Sequence, residues 1–264
     1  MPAMELFASL DLPHAIAGLL VGLLVGLTGV GGGSLMTPLL VLMFGVAPQT
    51  AVGTDLLFAA ITKSVGVGVH HKRDTIDWRI FRRLATGSVP AAILTLIALA
   101  TFVHIGDNTS RVIITVLGAV LLVTAMGLLF QRKLLAYGAT HPVARNHALT
   151  PTIVLGVVLG VLVTITSVGA GAIGATILVM LYRRLPISRI VGTDIAHAVP
   201  LAFLAGMGHW LIGSVDGALL LNLLVGSIPG VIVGSLWSSR APDTMLRWAL
   251  AAVLTVSGVR LLMQ

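Results

Sequence analysis

The chain carries ten apolar runs, at about 14–29, 34–46, 50–70, 80–103, 111–131, 151–166, 171–182, 190–212, 217–237 and 244–263. About 20 apolar residues make one helical crossing of a bilayer's hydrocarbon core. No water there satisfies backbone N–H and C=O groups, so each run has to be a helix. Of the 264 residues 57% are hydrophobic and only 9% charged, with a mean hydropathy of +1.05. Soluble domains carry about 25% charged residues. The fold class is therefore all-α, a polytopic membrane protein. The net charge of +7 resides in loops and does not indicate a nucleic-acid partner. Residues 1–14 contain Glu5 and Asp11 but no Lys or Arg. They lack the basic start of a cleavable signal peptide, and the first helix is expected to stay.

The chain is also written twice. Val52-Gly53-Thr54-Asp55 reappears as Val191-Gly192-Thr193-Asp194, and the same offset of 139 residues carries His70 to His209, Asp77 to Asp216, and Gly87-Ser88-Val89-Pro90 to Gly226-Ser227-Ile228-Pro229. Upstream the offset is 138, taking Val30-Gly31-Gly32-Gly33 to Val168-Gly169-Ala170-Gly171. Each copy holds five helical segments, the second of them short. The expected division is a first repeat over 1–131, a cytoplasmic linker over 132–150 and a second repeat over 151–264.

Short loops rich in Lys and Arg stay on the cytoplasmic side. Four connections are basic, marked by Lys72, Arg73, Arg79, Arg82 and Arg83; by Arg132, Lys133 and Arg145; by Arg183, Arg184 and Arg189; and by Arg240 and Arg247. Placing all four inside puts 13 of the 16 basic residues in the cytoplasm, with Arg111 and Arg260 outside and Lys63 within a span. This topology requires the first two segments of each copy to form a hairpin that leaves and returns to one side. It makes the copies inverted and places both termini outside the cytoplasm, in a cell (inner) membrane. Trp78, Trp210, Trp237 and Trp248 fall near span ends, where amphipathic rings anchor at the interface.

Gly29-Val30-Gly31-Gly32-Gly33-Ser34 interrupts the first hairpin and Ser167-Val168-Gly169-Ala170-Gly171 the second. Adjacent glycines make a poor helix, and unwound backbone at membrane depth persists only where protein or a water-filled cavity surrounds it. The half-helix after each break begins with free N–H groups and the positive end of its dipole, which favour an anion. Thr28, Gly31, Gly32, Gly33 and Ser34, with Thr166, Ser167, Gly169 and Gly171, are the expected substrate-binding residues at these breaks.

These elements resemble a known family. Gly-x-Gly-Gly-Gly after a first apolar helix, a second copy containing Ser-Val-Gly-Ala-Gly, and Val-Gly-Thr-Asp downstream in each half are similar to the sulfite exporter TauE/SafE family of membrane permeases. The resemblance covers nearly the whole chain and implies transport of sulfite, sulfonates or related sulfur-containing anions.

Ionisable residues inside spans complete the candidate set. Lys63 is a counter-charge for an anion, a partner for a carboxylate, or a side chain snorkelling toward His70 and Lys72. Asp55 and Asp194 are structural, satisfying amides of the neighbouring break, or couple anion movement to protons. His197, one turn beyond Asp194, is placed to donate to substrate or to that aspartate, while His70 and His209 are assigned to the interface. No histidine spacing suggests a metal, there is no cysteine, and no HExxH, Gly-x-Ser-x-Gly or P-loop motif occurs. No metal, cofactor or enzymatic activity is expected. The reading is a secondary transporter or permease of small anions, with lipid and the anion as partners. A passive anion channel is the alternative, and an intramembrane enzyme a more distant one.

Overall fold

The computed structural model describes residues 11–28, 33–70, 76–102, 108–140, 148–169, 171–183, 185–237 and 243–263. Among them are ten helices and no strand: α1 Leu12–Thr28, α2 Gly33–Phe44, α3 Pro48–His70, α4 Trp78–Phe102, α5 Asn108–Thr140, α6 Leu149–Thr166, α7 Ala172–Leu181, α8 Ile187–Leu211, α9 Gly217–Trp237 and α10 Asp243–Leu262. Each apolar run of the sequence became one helix. The short α2 and α7, of 12 and 10 residues, rise only about 15 to 18 Å at 1.5 Å per residue, roughly half of a bilayer core of about 30 Å.

One boundary differs from the sequence reading. α5 continues to Thr140, so the first half of the expected linker extends the fifth helix. Gln131-Arg132-Lys133-Leu134-Leu135-Ala136 are good helix formers. Their charge marks departure from lipid, and charge alone does not stop a helix.

The outside of this molecule is apolar and its inside partly polar. Leu94, Val112 and Leu236 are exposed, while Thr37, Thr54, Asp55, Thr164, Thr193, Asp194, His197 and Ser227 are buried. Lipid takes the place of water around such a body. The four tryptophans are all exposed; Trp78 opens α4, Trp210 lies at the end of α8, and Trp237 closes α9.

Glycine sets the closest helix contacts. α1 packs on α9 and α4 on α6. A Cβ at Gly18 would stand 2.1 Å from the Leu223 carbonyl oxygen, and one at Gly22 would stand 2.4 Å from that of Ser227. In the other pair, a Cβ at Gly156 would meet the Leu84 oxygen at 2.3 Å and one at Gly160 that of Ser88 at 2.5 Å. The 138 and 139 offsets convert the first pair of contacts into the second. Contact numbers rise together along both partners, so α1 runs parallel to α9 and α4 parallel to α6. α5 and α10 instead meet with Gly118 against Leu262 and Gly258 against Leu122, which is antiparallel. α3 and α8 are antiparallel too, with Gly53 beside His209 and Gly206 beside Leu57. Each close pair therefore joins one copy to the other.

Reciprocal hydrogen bonds fasten the same interface. The Asp216 N–H donates to Thr54 Oγ1 at 3.1 Å, and the Asp77 N–H donates to Thr193 Oγ1 at 2.8 Å. Asp77 Oδ1 accepts from the Arg79 and Ile80 amides at the start of α4, and Asp216 Oδ1 from that of Leu219 at the start of α9. Both aspartates cap helices in the ordinary way, and each cap is held by the Val-Gly-Thr-Asp threonine of the opposite copy.

A methyl group at Gly226 would sit 1.8 Å from the Ala15 carbonyl oxygen, and backbone cannot move aside as a flexible side chain can. Gly226→Ala is expected to lower stability by about 1–3 kcal/mol. Gly127→Ala, in open space on α5, is expected to be neutral or to gain up to about 1 kcal/mol. Thermal unfolding in detergent checks both.

Candidate functional site

The second break is built by backbone that side chains disfavour. α6 ends at Thr166, and Ser167 turns left-handed at φ 59°, its N–H bonded to the Val163 carbonyl at 2.8 Å. Gly169 and Gly171 follow at φ 124° and 119°, a region that glycine enters without a Cβ penalty. The Thr166 hydroxyl donates to Leu162 O and accepts the Val168 N–H, which ties the break to the helix it leaves. On α8, His209 Nε2 lies 2.9 Å from the Thr164 carbonyl oxygen. His209 is buried and serves the end of α6; the interfacial position expected for it is not the one observed.

Each half-helix is met by a carboxyl group of the helix that follows it. Asp55 Oδ2 accepts the Thr37 N–H at 3.1 Å and its hydroxyl at 2.5 Å, in the second turn of α2. Asp194 is the counterpart at α7. The Gly171 amide faces its carboxylate, and a Cβ on Gly174 would stand 2.3 Å from Oδ1, so that only glycine leaves room there. Thr37 of α2 and the Gly171 amide before α7 thus serve the protein's own carboxyl groups. Both aspartates lie two turns inside their helices rather than at the first residue.

Lys63 joins the two copies electrostatically. It is 7% exposed, so it does not snorkel to the surface, and it interacts first with Asp194 and then with Asp55. His197 is also within its field. His197 Nε2 pairs with Ser88 Oγ of α4 at 2.8 Å, not with Asp194, and the Phe81 ring stands edge-on to its imidazole. Ser167 lies against the Asp55 carboxyl, near but outside hydrogen-bond geometry. Asp55 Oδ1, Ser167 Oγ, Asp194 Oδ1 and His197 Nδ1 have no hydrogen-bond partner among the described residues.

Of the expected site residues, Lys63, Ser167, Gly171, His197, Asp55 and Asp194 come together in this buried centre. Thr166 and Gly169 form the backbone of the break behind it. Gly31 and Gly32 lie outside the described residues, Gly33 opens α2, and nothing describes the side chains of Thr28, Ser34 or His70. Sequence reading missed Ser88, Thr37 and Gly174. Ser88 had a signal, the duplicated Gly-Ser-x-Pro block, whereas Thr37 and Gly174 had none without the fold. Among the described residues no group of His, Asp or Glu is arranged to hold a metal ion.

Five helices are long and apolar enough to cross a membrane, over Trp78–Thr101, Ser110–Phe130, Leu149–Thr166, Ser188–Leu211 and Gly217–Trp237. With ionisable residues buried between the two copies, they define a multi-pass membrane protein. Residues 14–261 match the family model described as sulfite exporter TauE/SafE, and the chain belongs to that family. It is 42% identical to the probable membrane transporter protein YjnA of Bacillus subtilis, over 94% of this chain and 98% of that one. It is 28% identical to the probable membrane transporter protein YdhB of the same organism, over 92% and 96%. A probable membrane transporter protein of Haemophilus influenzae is 23% identical over 94% and 97%. No solved structure matches the chain. The family and these relatives make the chain a membrane transporter.

Lys63 and Asp194 act on each other through their fields and not in a contact ion pair, so stranding one costs less than about 3–5 kcal/mol, the cost in a contacting buried pair. Lys63→Met is expected to destabilise the protein by part of that amount, and Asp194→Asn in the same background to recover part of the loss. A double-mutant cycle on thermal unfolding in detergent measures the coupling. Additive effects would separate Lys63 from Asp194.

Proposed function

We propose that this protein is a secondary transporter of small anions, of the class of sulfite and sulfonates, in the cell (inner) membrane. The observation that carries the reading is Lys63, an amine buried within the field of carboxyl groups contributed by both copies. An intramembrane charge of this kind costs about 2.5 to 3.5 kcal/mol on insertion scales, and such residues usually mark a substrate or ion pathway. Ser167, His197 and Ser88 lie around the same centre and are the side chains proposed to meet an oxyanion. The family description supports the sulfur-containing substrate class.

The transport cycle follows from the duplication. Equivalent helices α3 and α8, and α5 and α10, run antiparallel, which supports an inverted repeat with its axis in the membrane plane. Inverted repeats alternate access by rocking one copy against the other around a midplane site. The half-length α2 and α7 end near that level. Basic loops support cytoplasmic positions for the start of α4 and the end of α5, with both termini outside.

Two measurements check this. Purified protein in vesicles is expected to give saturable uptake and counterflow of sulfite or sulfoacetate, in preference to a carboxylate control. Flux linear in concentration would make it a channel, and no flux of any anion would remove the reading. For orientation, the chain has no cysteine, so single replacements report cleanly. Leu211→Cys is expected to react with an impermeant maleimide in intact cells, and Arg79→Cys only after permeabilisation.

A further inference from the structure

Formal charges in the centre do not cancel. Two carboxyl groups, Asp55 and Asp194, face one amine, Lys63, so that with all three ionised one negative charge would be in excess. The remaining titratable neighbours are His197, whose Nε2 is held by Ser88, and His209, held by the Thr164 carbonyl. Among the described residues, α2 presents the Thr37 amide and hydroxyl, the second break presents Ser167, and α4 presents Ser88. An incoming anion would then be repelled by that excess. One added proton cancels that excess.

The two carboxylates are not equally placed to take it. Asp194 has Lys63 as its stronger partner, the Gly171 amide beside it and the cradle left by Gly174. Asp55 has both Thr37 donors on one oxygen, Oδ2. Those two bonds suit a carboxylate and suit equally the carbonyl oxygen of a carboxylic acid. Its other oxygen, Oδ1, is buried and unpartnered, as is Asp194 Oδ1, but only Asp55 has an unpartnered hydroxyl, Ser167 Oγ, beside it.

Resting on the transport reading, we infer that Asp55 is the coupling site: Oδ1 takes up one proton, donates it in a hydrogen bond to Ser167 Oγ, and releases it on the opposite side of the membrane. The bond would join α3 of the first copy to the break of the second. Proton and anion then travel together, with Lys63 kept on Asp194. Balance is simple, since a carboxylate plus a proton gives a neutral acid that later returns the same proton to water. The direction follows, because acid on the side holding the anion drives uptake.

The test has two arms with separate readouts. Infrared difference spectra of the protein in lipid discs, stepped between acid and alkaline buffer, are expected to show one titrating carboxylic-acid C=O band. That band should be lost in Asp55→Asn, kept in Asp194→Asn, and shifted to higher frequency in Ser167→Ala. A band that survives Asp55→Asn, or no titrating band, would overturn the assignment. In vesicles loaded with a pH-sensitive dye, sulfoacetate uptake is expected to acidify the lumen in the wild type. Asp55→Asn, whose amide can bond both Thr37 and Ser167, should still exchange sulfoacetate with proton flux lost. Sodium-driven uptake without acidification would also overturn it. A wild type that moves no sulfoacetate would count against the transport reading, while the infrared band still decides the proton site.

Discussion

Two carboxylates and one ammonium are held inside a body of helices with lipid as its outer solvent, and the surrounding architecture serves to keep them there. Charges at that depth are tolerated when they are paired and hydrogen-bonded. Thr37 and the start of α2 supply the bonds to Asp55; Gly171 and the start of α7 flank Asp194; Lys63 serves both. The two short helices are therefore bound up with the aspartates, which meet α2 at Thr37 and the start of α7 at Gly171.

The scaffold is close to symmetric and the centre is not. Gly18 and Gly156, Gly22 and Gly160, Thr54 and Thr193, and Asp77 and Asp216 perform the same packing or bonding tasks in exchanged partners. Lys63, however, has Ala202 as its counterpart, and His197 has Phe58, all four buried. Ser88 bonds His197, whereas its counterpart Ser227 is buried with no partner among the described residues. In the proposed cycle, duplication would supply two equivalent states for rocking. Substitution at a few central positions supplies a single cation and a single imidazole, and with them different surroundings for the two carboxylates.

Most of the fold was legible because lipid removes alternatives. A run such as 217–237 admits only a helix, and α9 has those bounds. The end of α5 was missed because basic residues signal departure from the membrane without ending helical order. The site was legible as a set of unusual residues, since Lys63, Asp55, Asp194 and His197 stand out in an apolar chain. Their pairing was not. That Asp55 meets Thr37, and that His197 meets Ser88 on a helix 109 positions away, depends on which helices of opposite copies touch. Val-Gly-Thr-Asp illustrates the division. Its recurrence was plain, but the job of its threonine, holding a cap in the other copy, required the fold.

Alternating exposure of the centre is the claim on which the functional account stands, and Ser167 is where it is most directly read. Since the chain lacks cysteine, Ser167→Cys gives one reporter at the break, to be probed with an impermeant thiol reagent from each side of oriented membranes. Modification from both sides, slowed from both by sulfite or sulfoacetate, is the predicted result. Modification from one side only, unaffected by either anion, would contradict a centre that opens alternately to each face.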